Sequence, residues 1–355
     1  MKKIVIIAGA RPNFMKIAPL IKAIEKYGKS ELEYSLVHTG QHYDKNMSDI
    51  FFEELGIPHP NINLEVGSGS QSAQVAEIMI KLEKYLLEYK PDYLIVVGDV
   101  NSTLAAGIVA SKMGIKLIHI EAGLRSFDRT MPEEINRLVV DKLSDYLFVS
   151  EKDGLKNLKK EGIAKKRYFF AGNIMIDSLV SILPKLEKKN SEKPYAVVTI
   201  HRPSNVDNKP DLENIMNILD LVSVDYEVVW PIHPRTRNNI DKFGFSERIS
   251  RFRLLEPLGY IEFMNLVYNS SIVVTDSGGI QEETTYLGIP CITLRHNTER
   301  PITVTEGTNF LTGPVLEKVE SALTKIKNKD YNINPKIKYW DGKTAKRIVK
   351  ILLEL

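Results

Sequence analysis

With 355 residues, 43% of them hydrophobic and 26% charged, the chain has a globular composition and the length of two domains, which excludes disorder and fibrous repeats. A net charge of +3 is far from the clustered basic face of a nucleic-acid binder and leaves acidic small molecules as candidate partners. One cysteine, Cys291, rules out an internal disulfide framework and a cysteine zinc cluster.

From the N-terminus, Lys2 and Lys3 precede an apolar stretch ending Ala8-Gly9-Ala10, a loose imitation of a leader peptide. The stretch runs straight into Arg11-Pro12 and a second apolar pattern, so a first strand feeding a helix is the better expectation, in a cytoplasmic protein. Apolar runs are strand-sized, as at 93–97, and no membrane span is expected. β-Rich runs then alternate with helical patterns, the signature of a parallel-sheet α/β architecture. Strands are expected at 4–8, 34–38, 93–97, 116–120, 146–149 and 168–171. Ile17, Leu20, Ile21 and Ile24 share one helix face, and Leu82, Leu86 and Leu87 should line another before Lys90-Pro91 ends it. A boundary is expected at Gly172-Asn173, separating a domain at 1–172 from one at 173–341. The pattern restarts with strands at 195–200, 227–232, 252–255, 272–275 and 291–294, and the last helix carries Ile348 and Leu352 on one side. Two doubly wound domains fit this order.

Ligands of open parallel sheets bind beyond the carboxyl ends of the strands, so the residues there hold the chemistry. After the first strand, Gly9 to Lys16 form neither a GxGxxG turn nor a P-loop. What remains is a helix N-terminus with Pro12 near its start, flanked by Arg11 and Lys16, which suits an anion and equally suits two surface cations. Gln41 and His42 follow the second strand in a polar loop that either binds a ligand or is simply solvated. Asp99 is either part of a helix cap or an active-site carboxylate, and the cap suffices if the residue is taken alone. Glu121 stands at the ligand edge of the fourth strand with no helix to stabilise; the structural alternative is a salt bridge to Arg125. Glu133 and Glu134 open a helix in which Glu133 is spaced to pair with Arg137 at i, i+4, an explanation sufficient for one of the two. Carboxylates gathered at one edge push each other's acidities apart, which is how acid/base pairs arise.

In the second half His201-Arg202 and His233-Pro234-Arg235 follow successive strands, with no spacing that suggests a metal site. The sharpest element is the strand entering Asp276-Ser277-Gly278-Gly279 and then a helix. Amides unobstructed by Cβ atoms, with the Ser277 hydroxyl, make a diphosphate cradle, and Glu283 one turn later can take both hydroxyls of a ribose.

Taken together, 9–16, Gly98-Asp99, 121–125, 132–137, His201-Arg202, 276–283 and Thr298-Glu299-Arg300-Pro301 resemble the non-hydrolysing UDP-N-acetylglucosamine 2-epimerases, over nearly the whole chain. The resemblance implies a GT-B fold, with two Rossmann-like domains, an interdomain cleft and a C-terminal helix (342–355) returning to the first domain. It implies a homodimer that interconverts UDP-GlcNAc and UDP-ManNAc, needing no cofactor or metal. It assigns catalysis to Asp99, Glu121 and Glu133, with His201, Arg11 and Lys16 around sugar and diphosphate. Ser277, Gly278, Gly279 and Glu283 would hold diphosphate and ribose, Phe263 would lie near uracil and Arg300 near the phosphates, with Arg235 adding positive charge. Gln41 and His42 are counted with the substrate-binding residues. Relatives acting on UDP-diacetamido-uronic acids share most of these motifs and supply the alternative substrate; a hydrolysing epimerase and a GT-B glycosyltransferase are the more distant alternatives.

Overall fold

Apolar runs rich in valine and isoleucine become strands buried on both faces, as parallel sheets sandwiched by helices require. The computed structural model describes residues 1–28, 30–40, 52–189 and 193–355, so Gln41 and His42 lie outside the described residues. The chain divides into two compact units, Met1–Ser181 with Lys338–Leu355, and Ile182–Ile337.

In the first unit the strands are β1 (Lys2–Ala8), β2 (Leu32–His38), β3 (Ile62–Asn63), β4 (Tyr93–Val97), β5 (Lys116–Ala122), β6 (Tyr146–Val149) and β7 (Tyr168–Phe170). They pair in parallel in the order β3-β2-β1-β4-β5-β6-β7. The order reverses between β1 and β4, so the loops after these strands flank the switch point where doubly wound sheets bind ligands. Ile17, Leu20, Ile21 and Ile24 are all buried, as their spacing predicts. Leu82 and Leu86 are buried too, but Leu87 is 60% exposed. It falls a further 100° round the helix Gln71–Tyr89 and leaves the apolar stripe, which corrects the expectation for that residue.

The helix Arg11–Ala23 contains Pro19, which has no N–H to give the Met15 carbonyl four residues earlier. The Ser178 hydroxyl donates to that carbonyl instead. Ser178 lies on the helix Ile174–Ile182, whose Asp177 carboxylate accepts from the backbone N–H groups of Thr344 (3.0 Å) and Ala345 (2.7 Å). That carboxylate therefore caps the C-terminal helix Thr344–Glu354, which packs on Arg11–Ala23.

The second unit holds β8 (Tyr195–Thr199), β9 (Glu227–Pro231), β10 (Arg253–Leu255), β11 (Ile272–Thr275), β12 (Cys291–Thr293) and β13 (Asn309–Leu311). All pairings are again parallel, in the order β10-β9-β8-β11-β12-β13, with the switch between β8 and β11. Trp230, Ile215 and Leu219 are fully buried in its core. Among the described residues, no helix is long and apolar enough to cross a membrane.

Candidate active site

At the switch point of the first unit the turn after β1 is locked from within. The buried Asn13 side chain accepts from the Gly9 and Ala10 amides (2.9 and 3.1 Å) and donates to the Val97 carbonyl (3.0 Å). It thereby ties β1, β4 and the opening of the helix together, a role that sequence reading passed over. Gly9 is required here: a Cβ would stand 1.8 Å from Ser102 Oγ. Arg11 occupies the first position of the helix.

Lys16, 5% exposed, points its ammonium at Glu121, with Nζ 2.6 Å from Oε2. The same ammonium lies over Gly98, where a Cβ would approach it to 2.8 Å. Glu121 does not follow the fourth strand but lies within it. The register of β5 against β6 shifts between Ile120 and Ala122, and Glu121 takes a left-handed backbone with φ 74°. Left-handed geometry in a non-glycine residue costs on the order of 1 kcal/mol, and a bulge of this kind redirects a side chain. The salt-bridge alternative is overturned, because Arg125 pairs with Asp141 and Glu161 (both 2.7 Å) and not with Glu121.

Asp99 is not the helix cap. The N-cap of the helix Asn101–Met113 is Val100, with no side-chain bond, while the Asp99 carboxylate is paired with Arg137. The guanidinium of Arg137 forks between Asp99 and Glu134. The pairing expected between Glu133 and Arg137 is thus replaced by one at i, i+3. Glu134 is the buried structural acid, accepting from the amides of Ser126 (2.9 Å) and Phe127 (3.0 Å) and from the Ser126 hydroxyl (3.0 Å). Glu133, half-buried on the same first turn, makes none of these bonds.

A second buried cluster lies just behind. His119 Nδ1 meets Asp141 at 2.7 Å and Nε2 meets the Gly98 carbonyl at 2.8 Å. Burial alone would raise the Asp141 carboxyl, but His119 and Arg125 outweigh it and hold the group below its ordinary value.

In the second unit the buried Asp276 organises the loop after β8. Its carboxylate accepts from the His201 and Arg202 amides (3.0 and 2.8 Å) and from Asn205 Nδ2 (3.0 Å). The His201 ring is half-exposed with Nδ1 3.2 Å from Asp276, which leaves Nε2 as its outward edge. Its centroid is 6.1 Å from that of His233, whose Nδ1 accepts the Arg235 amide (3.2 Å) and caps the helix Pro234–Phe243. The Arg235 side chain is committed to an exposed pair with Asp207.

Ser277 occupies the N-cap position of the helix Gly278–Leu287 without a side-chain cap bond, and the two glycines do different work. At Gly278 a Cβ would meet Glu299 Oε1 at 2.6 Å and Arg300 Nη1 at 3.1 Å, whereas at Gly279 nothing lies within 4 Å. Gly278 is a packing requirement; Gly279 borders open space at a helix N-terminus, the place for an anion. Arg300, nearly buried, is bound by Glu282 (2.7 Å) and Glu299 (2.8 Å), and Glu299 also holds Arg295 (2.8 Å). Glu283 is buried and accepts the Tyr260 hydroxyl at 2.8 Å, which fixes its carboxylate; Phe263 is half-buried one turn along the same helix, Tyr260–Tyr268. Gln281 braces the cradle, donating to the Ser277 carbonyl (3.1 Å) and accepting from Thr298 (2.8 Å) and Asn309 (3.0 Å). Asp276 and Gln281 lie inside the motif that sequence reading singled out, yet their bracing role rests on partners 71 to 75 and 17 to 28 residues away.

The family model for UDP-N-acetylglucosamine 2-epimerases matches residues 23–353. The chain belongs to that family. A UDP-N-acetylglucosamine 2-epimerase of Methanocaldococcus jannaschii is 42% identical over 366 residues, covering 99% of this chain and 98% of that protein. The crystal structure of the M. jannaschii UDP-GlcNAc 2-epimerase in complex with UDP-GlcNAc and UDP superimposes with a TM-score of 0.92, covering 99% of this chain and all of that one. A UDP-2,3-diacetamido-2,3-dideoxy-D-glucuronate 2-epimerase of Pseudomonas aeruginosa is 39% identical, covering 99% of this chain and the whole of that protein. This chain carries two doubly wound parallel sheets, in keeping with the two Rossmann-like units of the GT-B fold that the resemblance implies.

Proposed function

We propose that this protein is a non-hydrolysing epimerase that interconverts UDP-GlcNAc and UDP-ManNAc, working as a homodimer in the cytoplasm without a cofactor. The observation that carries the reading is the 0.92 TM-score to an epimerase holding UDP-GlcNAc and UDP. The buried Lys16–Glu121 pair and Asp99 at the first unit's switch point support it.

Inverting C2 requires removing a hydrogen that no neighbouring carbonyl acidifies. As the C1–O bond breaks and its electron pair leaves with UDP, positive character at C1 makes the C2 proton removable. A carboxylate takes that proton and the C1–C2 double bond of a glycal forms. In the return step UDP adds back at C1 while a second acid delivers a proton to the other face of C2. Two faces require two groups, each typically contributing 10²–10⁴-fold, and we assign them among Asp99, Glu121 and Glu133. Glu134 is set aside because its oxygens are already occupied by backbone and Arg137 donors.

Leaving-group charge builds on the diphosphate, and preorganised donors there lower the barrier. We assign this to the Ser277-Gly278-Gly279 helix end, the outward Nε2 of His201, Arg11 and Lys16, with Arg235 joining them on leaving its exposed pair with Asp207, Glu283 on the ribose and Phe263 beside the uracil. Arg300 contributes by holding the Gly278 turn against Glu299.

Following UDP-GlcNAc by proton NMR in heavy water tests the reading. The expected result is deuterium at C2 of both epimers, with UDP returning to product. Accumulating UDP with free ManNAc would make the protein a hydrolase, a product dependent on an added acceptor would make it a glycosyltransferase, and an untouched C2 hydrogen would refute epimerisation of this substrate. The 39% identity to the diacetamido-glucuronate epimerase supports a second reading with the same chemistry on a UDP-uronate; comparing kcat/KM on the two nucleotides decides between them.

A further inference from the structure

His119 is wholly buried on β5, and both its ring nitrogens face oxygen acceptors. The Gly98 carbonyl only accepts, so Nε2 carries a hydrogen. Nδ1 faces a carboxylate oxygen at 2.7 Å, so a second proton lies between Nδ1 and Asp141. The other Asp141 oxygen accepts the Gly123 amide at 3.0 Å and the Arg125 guanidinium at 2.7 Å, and Arg125 is held in turn by Glu161. One buried assembly therefore grips the backbone at Gly98, immediately before Asp99, and at Gly123, two residues beyond Glu121.

Strand pairing does not need this assembly. The β4–β5 ladder already runs from Tyr93↔Lys116 to Val97↔Ile120, and the histidine acts one residue past its end, where β5 bulges and both Gly98 and Glu121 have positive φ. Buried ionic groups are an expensive way to join strands that apolar side chains would join as well.

We infer that His119 and Asp141 are positioning residues that set the separation of the Asp99 and Glu121 carboxylates in advance of substrate. The inference rests on the reading of those two acids as the reacting groups. Neither His119 nor Asp141 touches substrate; their effect is on geometry, where a displacement of about 1 Å costs about 100-fold in rate.

The test compares His119→Phe, which keeps a ring and loses both donors, with Asp99→Asn. For H119F the expectation is kcat down about 100-fold, with KM and UDP affinity within about threefold of the parent. Near-normal turnover of H119F beside an inactive D99N overturns the inference and leaves the epimerase reading intact. A fall in UDP affinity matching the loss of turnover also overturns it, since that marks a general packing residue. Normal turnover of D99N removes the acid assignment and the inference with it. Should H119F not fold, the parent protein labelled with ¹⁵N-histidine decides. A downfield proton shared between His119 Nδ1 and Asp141, unmoved by UDP, upholds the inference, and a ring bearing hydrogen on Nε2 alone overturns it.

Discussion

Lys16 Nζ sits 2.6 Å from Glu121 Oε2 with both side chains almost wholly buried, and the glutamate is held there on left-handed backbone. Breaking a buried pair by removing one partner costs roughly 3–5 kcal/mol, because the other charge stays behind. Lys16→Met should therefore lower both stability and turnover. Adding Glu121→Gln to it should recover much of the stability but none of the activity. Denaturant unfolding of the two singles and the double measures that coupling.

The two acids opening the helix Pro132–Leu143 should separate cleanly by phenotype. Glu133→Gln, like Asp99→Asn, should drop epimerisation by 10²-fold or more while UDP still binds. Glu134→Gln should instead destabilise the chain by about 1–3 kcal/mol, since it weakens bonds to two backbone amides, the Ser126 one buried, and to a guanidinium. Kinetics paired with thermal melting distinguishes the patterns.

Sequence reading reaches this site only in part, and the reasons are local. Long valine- and isoleucine-rich strands declare themselves, whereas β3 and β13 have two and three residues and each includes an asparagine, too little for any period to register. The strand ends that border the site were legible because β/α alternation makes the sheets parallel and places ligands beyond the carboxyl ends of the strands, while the strand order itself was not. The partner of Arg137 was not, since i, i+3 and i, i+4 are equally open to a glutamate pair and only the Ser126–Phe127 backbone selects Glu134. Nor does an isoleucine-glutamate-alanine run announce a bulge with positive φ at Glu121. His119 reads as one more strand residue until Asp141, 22 positions away, is seen beside it.

Gly278→Ala and Gly279→Ala make a matched pair. The first drives a methyl group into Glu299 and should cost about 1–3 kcal/mol of stability, as overpacking does. The second meets no neighbour, so the fold should persist while UDP binding weakens by about tenfold, roughly 1.4 kcal/mol. Calorimetric titration with UDP reads the second effect and melting the first.

Burial raises Asp177 from 3.8 to about 6, against the backbone N–H groups of Thr344 and Ala345 that favour its charge. Between those two values the folded chain holds a proton that the unfolded chain has lost. This group therefore adds stability as pH falls through 6, fully by about pH 4, and the gain disappears as pH rises again. The effect is bounded by about 3 kcal/mol. Asp177→Asn should flatten the difference in stability between pH 7 and pH 5 relative to the parent, as followed by urea unfolding at the two pH values.

Pro19 and Ser178, 159 positions apart, answer each other through the Met15 carbonyl. Were the proline exchanged for an ordinary residue, the helix would supply its own amide there and the hydroxyl would become dispensable; were the serine lost first, the carbonyl would be stranded. Sequence drift at these two sites is thus ordered: the ring must go before the hydroxyl can.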